Sequence, residues 1–175
     1  MVLPIITYGN SILRRKSIDV HVKTDELDIL INNMFETIQH ADGVGLAANQ
    51  VDSPLNLFIV NFKNGDDELK EVFINSKITN YSDEKSFYKE GCLSFPTLQE
   101  EVLRSDSITI DYLDKDFNHQ IKEFNGLFAR VIQHEYDHVN GVVFIDKINP
   151  LKRKMLSGKL KSIVNKKLFT NYKIK

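Results

Sequence analysis

The sequence lacks the features that would indicate an exported, membrane-spanning or disordered protein. It has 175 residues and one cysteine, Cys92, so no intrachain disulfide can form and a reducing cytoplasm is the expected location. No uncharged apolar run approaches the length of a membrane-spanning helix, so no membrane partner is expected. The first ten residues do not have the basic region and apolar run of a signal peptide. The apolar content of 42% excludes a disordered chain.

The length and the charge distribution predict one domain with a basic C-terminal segment. No repeat, low-complexity tract or linker divides the chain, so residues 1–175 are predicted to form a single domain, with a basic C-terminal helix and tail at 150–175. Residues 151–175 carry nine Lys or Arg and no Asp or Glu, whereas the rest of the chain has an acidic excess. This asymmetry is typical of a tail that meets a polyanion, and a solvated amphipathic helix explains it equally well.

The apolar pattern of the first two thirds of the chain predicts a helix followed by antiparallel strands. Helical spacing predicts an N-terminal helix at 25–40, with Thr24 as its N-cap. The middle of the chain contains short apolar segments joined by turns at 64–67 and 114–116. Successive short strands joined by turns favour an antiparallel sheet over alternating βαβ units.

Helical spacing returns in the last third of the chain. Residues 127–139 are apolar almost all round, which predicts a helix buried at the centre of the domain, and Gly141 ends it. After Pro150, one apolar stripe predicts a C-terminal amphipathic helix; its members are Leu151, Met155, Leu156, Leu160, Ile163 and Val164. The predicted fold class is therefore α+β, with antiparallel β-sheets packed around the central buried helix.

That central helix carries the H-E-x-x-H pattern, in which the x residues are Tyr136 and Asp137. Because His134 and His138 are separated by about one helical turn, both imidazoles can reach the same metal ion. Glu135 then lies beside the ion, where a carboxylate can take the protons of a bound water. Two surface histidines are the alternative, which the apolar helix disfavours because burying these polar side chains without a task is costly.

A catalytic site of this kind requires a third protein ligand. The metzincin pattern would place a histidine at the position of Phe144, which cannot bind a metal. Asp146 is the only acidic candidate after the helix. Cys92 is the remaining strong ligand, and it follows a predicted strand at 86–88. A thiolate with two imidazoles suits a divalent transition metal, although a single cysteine is also commonly a small buried apolar residue.

Three segments together resemble the motifs of the peptide deformylase family. They are Gly43–Gln50 for G-x-G-L-A-A-x-Q, Glu90–Ser94 for E-G-C-L-S and Gln133–His138 for Q-H-E-x-D-H, in the family's order. Taken alone, the first segment also fits a glycine turn that enters a strand. The opening residues are similar to the family's start as well, so the resemblance covers roughly residues 3–165.

The resemblance implies a metal-dependent hydrolase of linear amides. Such an enzyme removes the N-formyl group from the N-terminal formylmethionine of newly synthesised polypeptides and releases formate. Cys92, His134 and His138 would hold one divalent metal ion, which is usually Fe2+ in this family, although Zn2+, Ni2+ or Co2+ can occupy such sites. The implied substrates are N-formylmethionyl nascent peptides, and DNA is not an expected partner.

The resemblance also implies roles for other residues of the motifs. Glu135 would move a proton from the attacking water to the departing amine, while the Gln50 side chain and the Leu93 backbone N–H would meet the developing oxyanion. Asp137 either pairs with Arg104 and steadies the helix or forms a surface pair of little consequence. The implied substrate-binding residues, for several of which ordinary core is the alternative, are Val44, Gly45, Gly91, Leu127 and Val131.

The basic segment at 150–175 has a more specific interpretation once the family is considered. In some family members the C-terminal helix contacts ribosomal RNA, so the basic side chains here could bind its phosphates. Those side chains are Lys152, Arg153, Lys154, Lys159, Lys161, Lys166 and Lys167. An amphipathic helix that covers the core explains the apolar stripe without any partner, so both interpretations stay open.

The chain departs from the family pattern at three positions, and two rival functions use similar motifs. Val139 stands where leucine is frequent, Thr97 replaces a glycine, and Gln99 replaces an arginine that contacts substrate in some members. The rivals are a zinc endopeptidase and a non-catalytic metal-stabilised binding protein. An upstream Cys92 ligand argues against the first, and Glu135 argues against the second because a structural metal site has no use for it.

Overall fold

The computed structural model describes residues 1–175 as an α+β fold with two antiparallel sheets, which confirms the predicted fold class. Its helices and strands, in chain order, are α1 Asp25–His40, β1 Gly45–Ala47, β2 Leu57–Asn64, β3 Asp67–Tyr81, β4 Lys85–Gly91, β5 Gln99–Ser105, β6 Ser107–Leu113, β7 His119–Asn125, α2 Gly126–Val139, α3 Pro150–Met155 and α4 Ser157–Val164. The larger sheet has the order β1-β2-β3-β6-β7, and β4 pairs only with β5.

Strand β2 is buried on both faces and separates two parts of the core. Leu57 and Ile59 pack with the apolar side chains of α1, whereas Phe58 and Val60 pack with those of α2. Because both faces are buried, residues 57–60 are all apolar and do not show the alternation of apolar and polar residues that is typical of a half-exposed strand. Helices α1 and α2 therefore lie on opposite faces of the larger sheet.

The two long helices form where the sequence predicts them. Helix α1 begins after Thr24, whose hydroxyl accepts the backbone N–H of Leu27 at 3.3 Å. Helix α2 ends before Gly141, which has a φ of +73°. A Cβ at Gly141 would lie 2.7 Å from the Arg14 carbonyl oxygen, so both the backbone conformation and the close approach require glycine here.

The strands were predicted less completely than the long helices. The two predicted turns are confirmed, since they join β2 to β3 and β6 to β7. Strand β3 is longer than its apolar segment at 71–75, because register irregularities between Ile74 and Asn80 let it pair with β6 as well as β2. Strand β5 was not predicted, and β1 was anticipated only as the strand that follows a glycine turn.

The C-terminal segment differs in detail from the expected continuous amphipathic helix. Helices α3 and α4 are separated at Leu156, so the apolar residues do not form one stripe in space. Leu151 and Met155 are 69% and 78% exposed, whereas Leu160 and Ile163 are buried in a third core cluster. None of the helices has the length and apolarity needed to cross a membrane.

Candidate active site

The structure brings Cys92 of the second motif next to the two histidines of α2. Cys92 directly follows β4, and its Sγ lies 3.2 Å from Nε2 of His138. One ligand atom from each of Cys92, His134 and His138 can be chosen so that all three lie within 4.8 Å of one another. A thiolate and two imidazoles at this separation fit a tetrahedral divalent transition metal with one position left for water or substrate. Asp146, the other candidate, instead pairs with Arg14 and Arg153.

A buried carboxylate orients the first histidine. Nδ1 of His134 lies 3.0 Å from Oε2 of Glu90, so a proton on Nδ1 is donated to Glu90 and Nε2 is left free for a metal. Arg104 donates to both oxygens of Glu90, at 2.7 and 3.0 Å, and Arg130 donates to one of them at 2.8 Å. Burial by itself would raise the pKa of Glu90, but the hydrogen bonds from His134 and Arg104 outweigh it and lower this pKa to about 2.

Arg104 also links the Glu90 carboxylate to Asp137, near the end of the Gln133–His138 motif. Arg104 donates to Oδ2 of Asp137 at 2.7 Å, and its side chain is 2% exposed. The predicted pairing of Asp137 with Arg104 is therefore confirmed, and the pair is buried instead of lying on the surface. Because Arg104 lies on β5 and Asp137 on α2, the pair fixes the helix against the smaller sheet.

Glu135 is a buried carboxyl group with one free oxygen. It is 5% exposed, and its Oε2 has no hydrogen-bond partner in the protein. Burial raises the pKa of Glu135 to about 7, and the charges of His134 and Arg104 oppose this rise only in part. A Cβ at Gly45 would lie 2.6 Å from Oε1 of Glu135, so the second glycine of the first motif makes room for this carboxyl group.

Gln50 is held with its amide nitrogen toward the cysteine. Its Oε1 accepts the backbone N–H of Ala47 at 2.9 Å, which fixes the orientation of the amide. Its Nε2 donates to the Ser94 hydroxyl at 3.1 Å and lies 3.6 Å from Sγ of Cys92. Leu93 directly follows Cys92, so the Gln50 amide and the Leu93 backbone N–H come from two separate segments of the chain.

A cleft of about 650 Å³ opens beside this cluster. Of the eleven predicted site residues, ten line it, and these are Val44, Gly45, Gln50, Gly91, Cys92, Leu93, Leu127, Val131, His134 and Glu135. His138 does not line the cleft and is 1% exposed. Val44 is 41% exposed, which disfavours the alternative that it belongs to the ordinary core.

Several residues that support the site were not identified from the sequence. Arg130 lies outside the three motifs. It is buried, and it donates to Glu90 and to the carbonyl oxygens of Ser86 and Val102. Asn49 donates from Nδ2 to the His138 carbonyl oxygen at 2.6 Å. The charged and amide side chains of these two residues are typical of exposed positions, so no local pattern signals their burial.

Comparison with known proteins identifies the family of this chain. The family model described as polypeptide deformylase matches residues 2–154. A peptide deformylase of Flavobacterium psychrophilum is 43% identical over 100% of this chain and 97% of its own length. The crystal structure of peptide deformylase from Ehrlichia chaffeensis has a TM-score of 0.89 at 32% identity and covers 97% of this chain and 100% of that one. The Arabidopsis thaliana peptide deformylase 1B structure in complex with an inhibitor has a TM-score of 0.87 at 33% identity and covers 94% and 92%. The chain therefore belongs to the peptide deformylase family, the metalloenzymes that remove the N-formyl group from nascent peptides.

Proposed function

We propose that this chain carries out the deformylation of N-formylmethionyl peptides with one divalent metal ion held by Cys92, His134 and His138. The convergence of these three ligands beside a cleft is the observation that carries the proposal. When bound there, the ion would act as a Lewis acid and bring the pKa of a coordinated water toward neutrality. Fe2+ is the proposed metal, and Zn2+, Ni2+ and Co2+ suit the same donor set.

Glu135 is proposed as the acid–base residue. Its carboxyl group faces the cleft, has an oxygen without a protein partner, and has a pKa raised by burial to about 7. A carboxyl group of that pKa can accept a proton from the attacking water and return it to the amine that leaves, both near neutral pH.

Gln50 and Leu93 are proposed as the donors that meet the oxyanion. When the formyl carbon becomes tetrahedral, negative charge accumulates on its oxygen, and donors that already point there stabilise the transition state. The amide nitrogen of Gln50 is suited to this role because its oxygen is occupied by the N–H of Ala47. The backbone N–H of Leu93 lies one residue from Cys92 and is the second proposed donor.

The substrate is proposed to bind along the open edge of β1. This strand pairs only with β2, so its other edge can accept hydrogen bonds from an extended peptide near Gly45, with Gly91 at the end of β4 across the cleft. Val44, Leu127 and Val131 are proposed to surround the methionine side chain, since all three line the cleft and none is fully buried.

Two variants separate this function from its rivals. Cys92→Ala, Glu135→Gln and the unaltered chain are purified anaerobically. Their metal content is measured, and each is assayed for formate release from formyl-Met-Ala-Ser. We expect Cys92→Ala to lose both metal and activity, and Glu135→Gln to keep its metal while losing about 10²-fold or more in rate. Oxygen-sensitive activity of the unaltered chain would support Fe2+. Metal retained in Cys92→Ala together with cleavage of unformylated peptides would support the endopeptidase instead.

The proposed cellular setting is the cytoplasm, with the ribosome as a partner. The chain 1–175 is proposed to act as one metallohydrolase domain in the cytoplasm, with the basic segment 150–175 binding ribosomal RNA. Six basic side chains of this segment have no acidic partner, which supports a role toward an external polyanion; they are Lys154, Lys159, Lys161, Lys166, Lys167 and Lys173.

Ribosome binding is tested by removing these charges without shortening the chain. Replacement of Lys161, Lys166 and Lys167 by Gln should weaken co-sedimentation with ribosomes and flatten its dependence on salt. Turnover of a short formyl peptide should stay at the unaltered level, because none of the three lysines lines the cleft. Equal co-sedimentation of the two proteins at low and high salt would contradict the proposal.

A further inference from the structure

The last residues of the chain pair with its first residues. The backbone N–H of Ile5 donates to the carbonyl oxygen of Lys173, and the N–H of Lys175 donates to the carbonyl oxygen of Ile5, both at 2.8 Å. Ile5 and Ile174 form a parallel bridge. We call residues 172–175 the terminal segment, and these bonds hold it against residues 5–8.

Residues 5–8 in turn contact both elements that carry the proposed oxyanion donors. The N–H of Ile6 donates to the carbonyl oxygen of Gln50 at 2.8 Å, and the N–H of Tyr8 donates to that of Ser94 at 2.9 Å. Gln50 lies in the short 3₁₀ helix Ala48–Val51, and Ser94 follows Leu93. Residues 5–8 therefore connect the terminal segment to the backbone of Gln50 and of Ser94.

Tyr172 is the residue by which the terminal segment contacts Leu93 directly. Its hydroxyl donates to the carbonyl oxygen of Leu93 at 2.8 Å, and its side chain lines the cleft. No other protein hydrogen bond reaches this carbonyl oxygen. Burial raises the pKa of Tyr172 to about 12, so the hydroxyl keeps the proton that it donates.

The Leu93 residue is thus restrained from several sides. Its side chain packs closely over Gly43, where an added Cβ would lie 2.9 Å from Cδ1 of Leu93. Its carbonyl oxygen is fixed by Tyr172, and the following residue, Ser94, is bonded through its hydroxyl to Gln50 and through its carbonyl to Tyr8. Removal of the tyrosine hydroxyl releases the only protein hydrogen bond of the Leu93 carbonyl oxygen, whereas the preceding peptide group, which carries the Leu93 N–H, keeps the bond from the Phe95 N–H to the Cys92 carbonyl oxygen at 2.9 Å.

We propose that Tyr172 is a positioning residue, which fixes Leu93 through its carbonyl oxygen and thereby limits the motion of the preceding peptide group, whose N–H points at the oxygen of the reacting formyl group. The inference rests on the proposed function of Leu93 as an oxyanion donor. A donor that is correctly aimed only at the transition state raises kcat and leaves substrate binding nearly unchanged. The hydroxyl of Tyr172 is expected to contribute to kcat in this way without touching the reacting atoms.

The test compares Tyr172→Phe with the unaltered chain and with Tyr81→Phe as the matched control. Tyr81 is half exposed, lies outside the cleft, and its hydroxyl makes no hydrogen bond in the protein. Each protein is assayed for kcat and KM on formyl-Met-Ala-Ser, normalised to bound metal. For Tyr172→Phe we expect kcat to fall about 3- to 10-fold, the effect of one lost neutral hydrogen bond, with KM within about twofold. The Tyr81→Phe control should match the unaltered chain in both constants.

Amide hydrogen exchange supplies a readout that is independent of activity. We expect faster exchange at residues 92–95 of Tyr172→Phe and unchanged exchange along α2, because only the loop beside Cys92 loses a restraint. An unchanged kcat overturns the proposal, and so does a lowered kcat with unchanged exchange at 92–95, since the effect would then not pass through Leu93. Failure of the proposed function is seen separately, as absence of formate release by the unaltered chain.

Discussion

Replacement of Gly45 by alanine tests the steric link between the first motif and the proposed acid–base residue. Gly45 lies in β1, and its φ is not positive, so alanine is tolerated by the backbone and acts only through its methyl group. That methyl carbon would lie 2.6 Å from Oε1, 2.8 Å from Cγ and 2.9 Å from Cδ of Glu135. Because three successive atoms are too close, a rotation of the carboxylate tip does not relieve the clash.

The size of the effect follows from how far Glu135 must move. Ordinary contacts to a Cβ are 3.4–4 Å long, so the side chain has to retreat by about 0.5–1 Å within a buried site. Overpacking of this kind costs about 1–3 kcal/mol of the free energy of unfolding. A displacement of about 1 Å in a catalytic group lowers the rate on the order of 10²-fold.

The assay measures kcat, KM, bound metal and the free energy of unfolding for Gly45→Ala. We expect a fall in kcat of about 10- to 100-fold with metal content unchanged, because the three atoms nearest the new methyl group all belong to Glu135 and not to a proposed ligand. Gly158→Ala is the matched control: a Cβ there meets nothing within 4 Å, and alanine favours the helix by up to about 1 kcal/mol. A Gly45→Ala protein with the kcat of the unaltered chain would refute the steric reasoning.

Two further predictions concern buried and partly buried carboxylates. Glu90→Gln should lower metal affinity about 10- to 100-fold, as measured by competition with a chelator, because His134 loses the carboxylate that orients it; equal affinity would contradict that role. For Asp146, burial favours the neutral form, but hydrogen bonding and charge from Arg14 outweigh it and lower its pKa, so its stabilisation is present at neutral pH and is lost as the pH falls below about 4. The difference in unfolding free energy between the unaltered chain and Asp146→Asn should therefore narrow between neutral pH and about pH 3; a constant difference would contradict this assignment.

The sequence predicts the elements whose signals are local. Helix α1 has its N-cap and its apolar spacing within 24–40, and α2 has apolar residues almost all round and ends before a glycine. Strand β5 has no such signal, since its letters QEEVLRS are mostly polar. Its buried Arg104 is stabilised by Glu90 and Asp137 from β4 and α2, so its burial depends on partners that the local sequence does not reveal.

The C-terminal stripe shows a different limit of sequence patterns. Leu151 and Met155 have the spacing of a buried face, but the helix is interrupted at Leu156, and both side chains are exposed. Helical periodicity assumes one continuous helix axis, and it does not indicate where one helix ends and a second short helix begins. Tyr172 is missed for a related reason, because its contact with Leu93 depends on the pairing of the first and last residues of the chain.

The glycines of the first motif connect these observations to the site. Taken alone, that segment fits a glycine turn, and backbone freedom would be the reason for both residues. Neither Gly43 nor Gly45 has a positive φ, however, so backbone conformation does not require glycine at either position. What excludes a side chain is the approach of Leu93 to the first and of Glu135 to the second, each from a distant part of the chain. The first motif is therefore a surface shaped to fit one proposed oxyanion donor and the proposed acid–base residue, and its glycines are explained only once all three motifs are folded together.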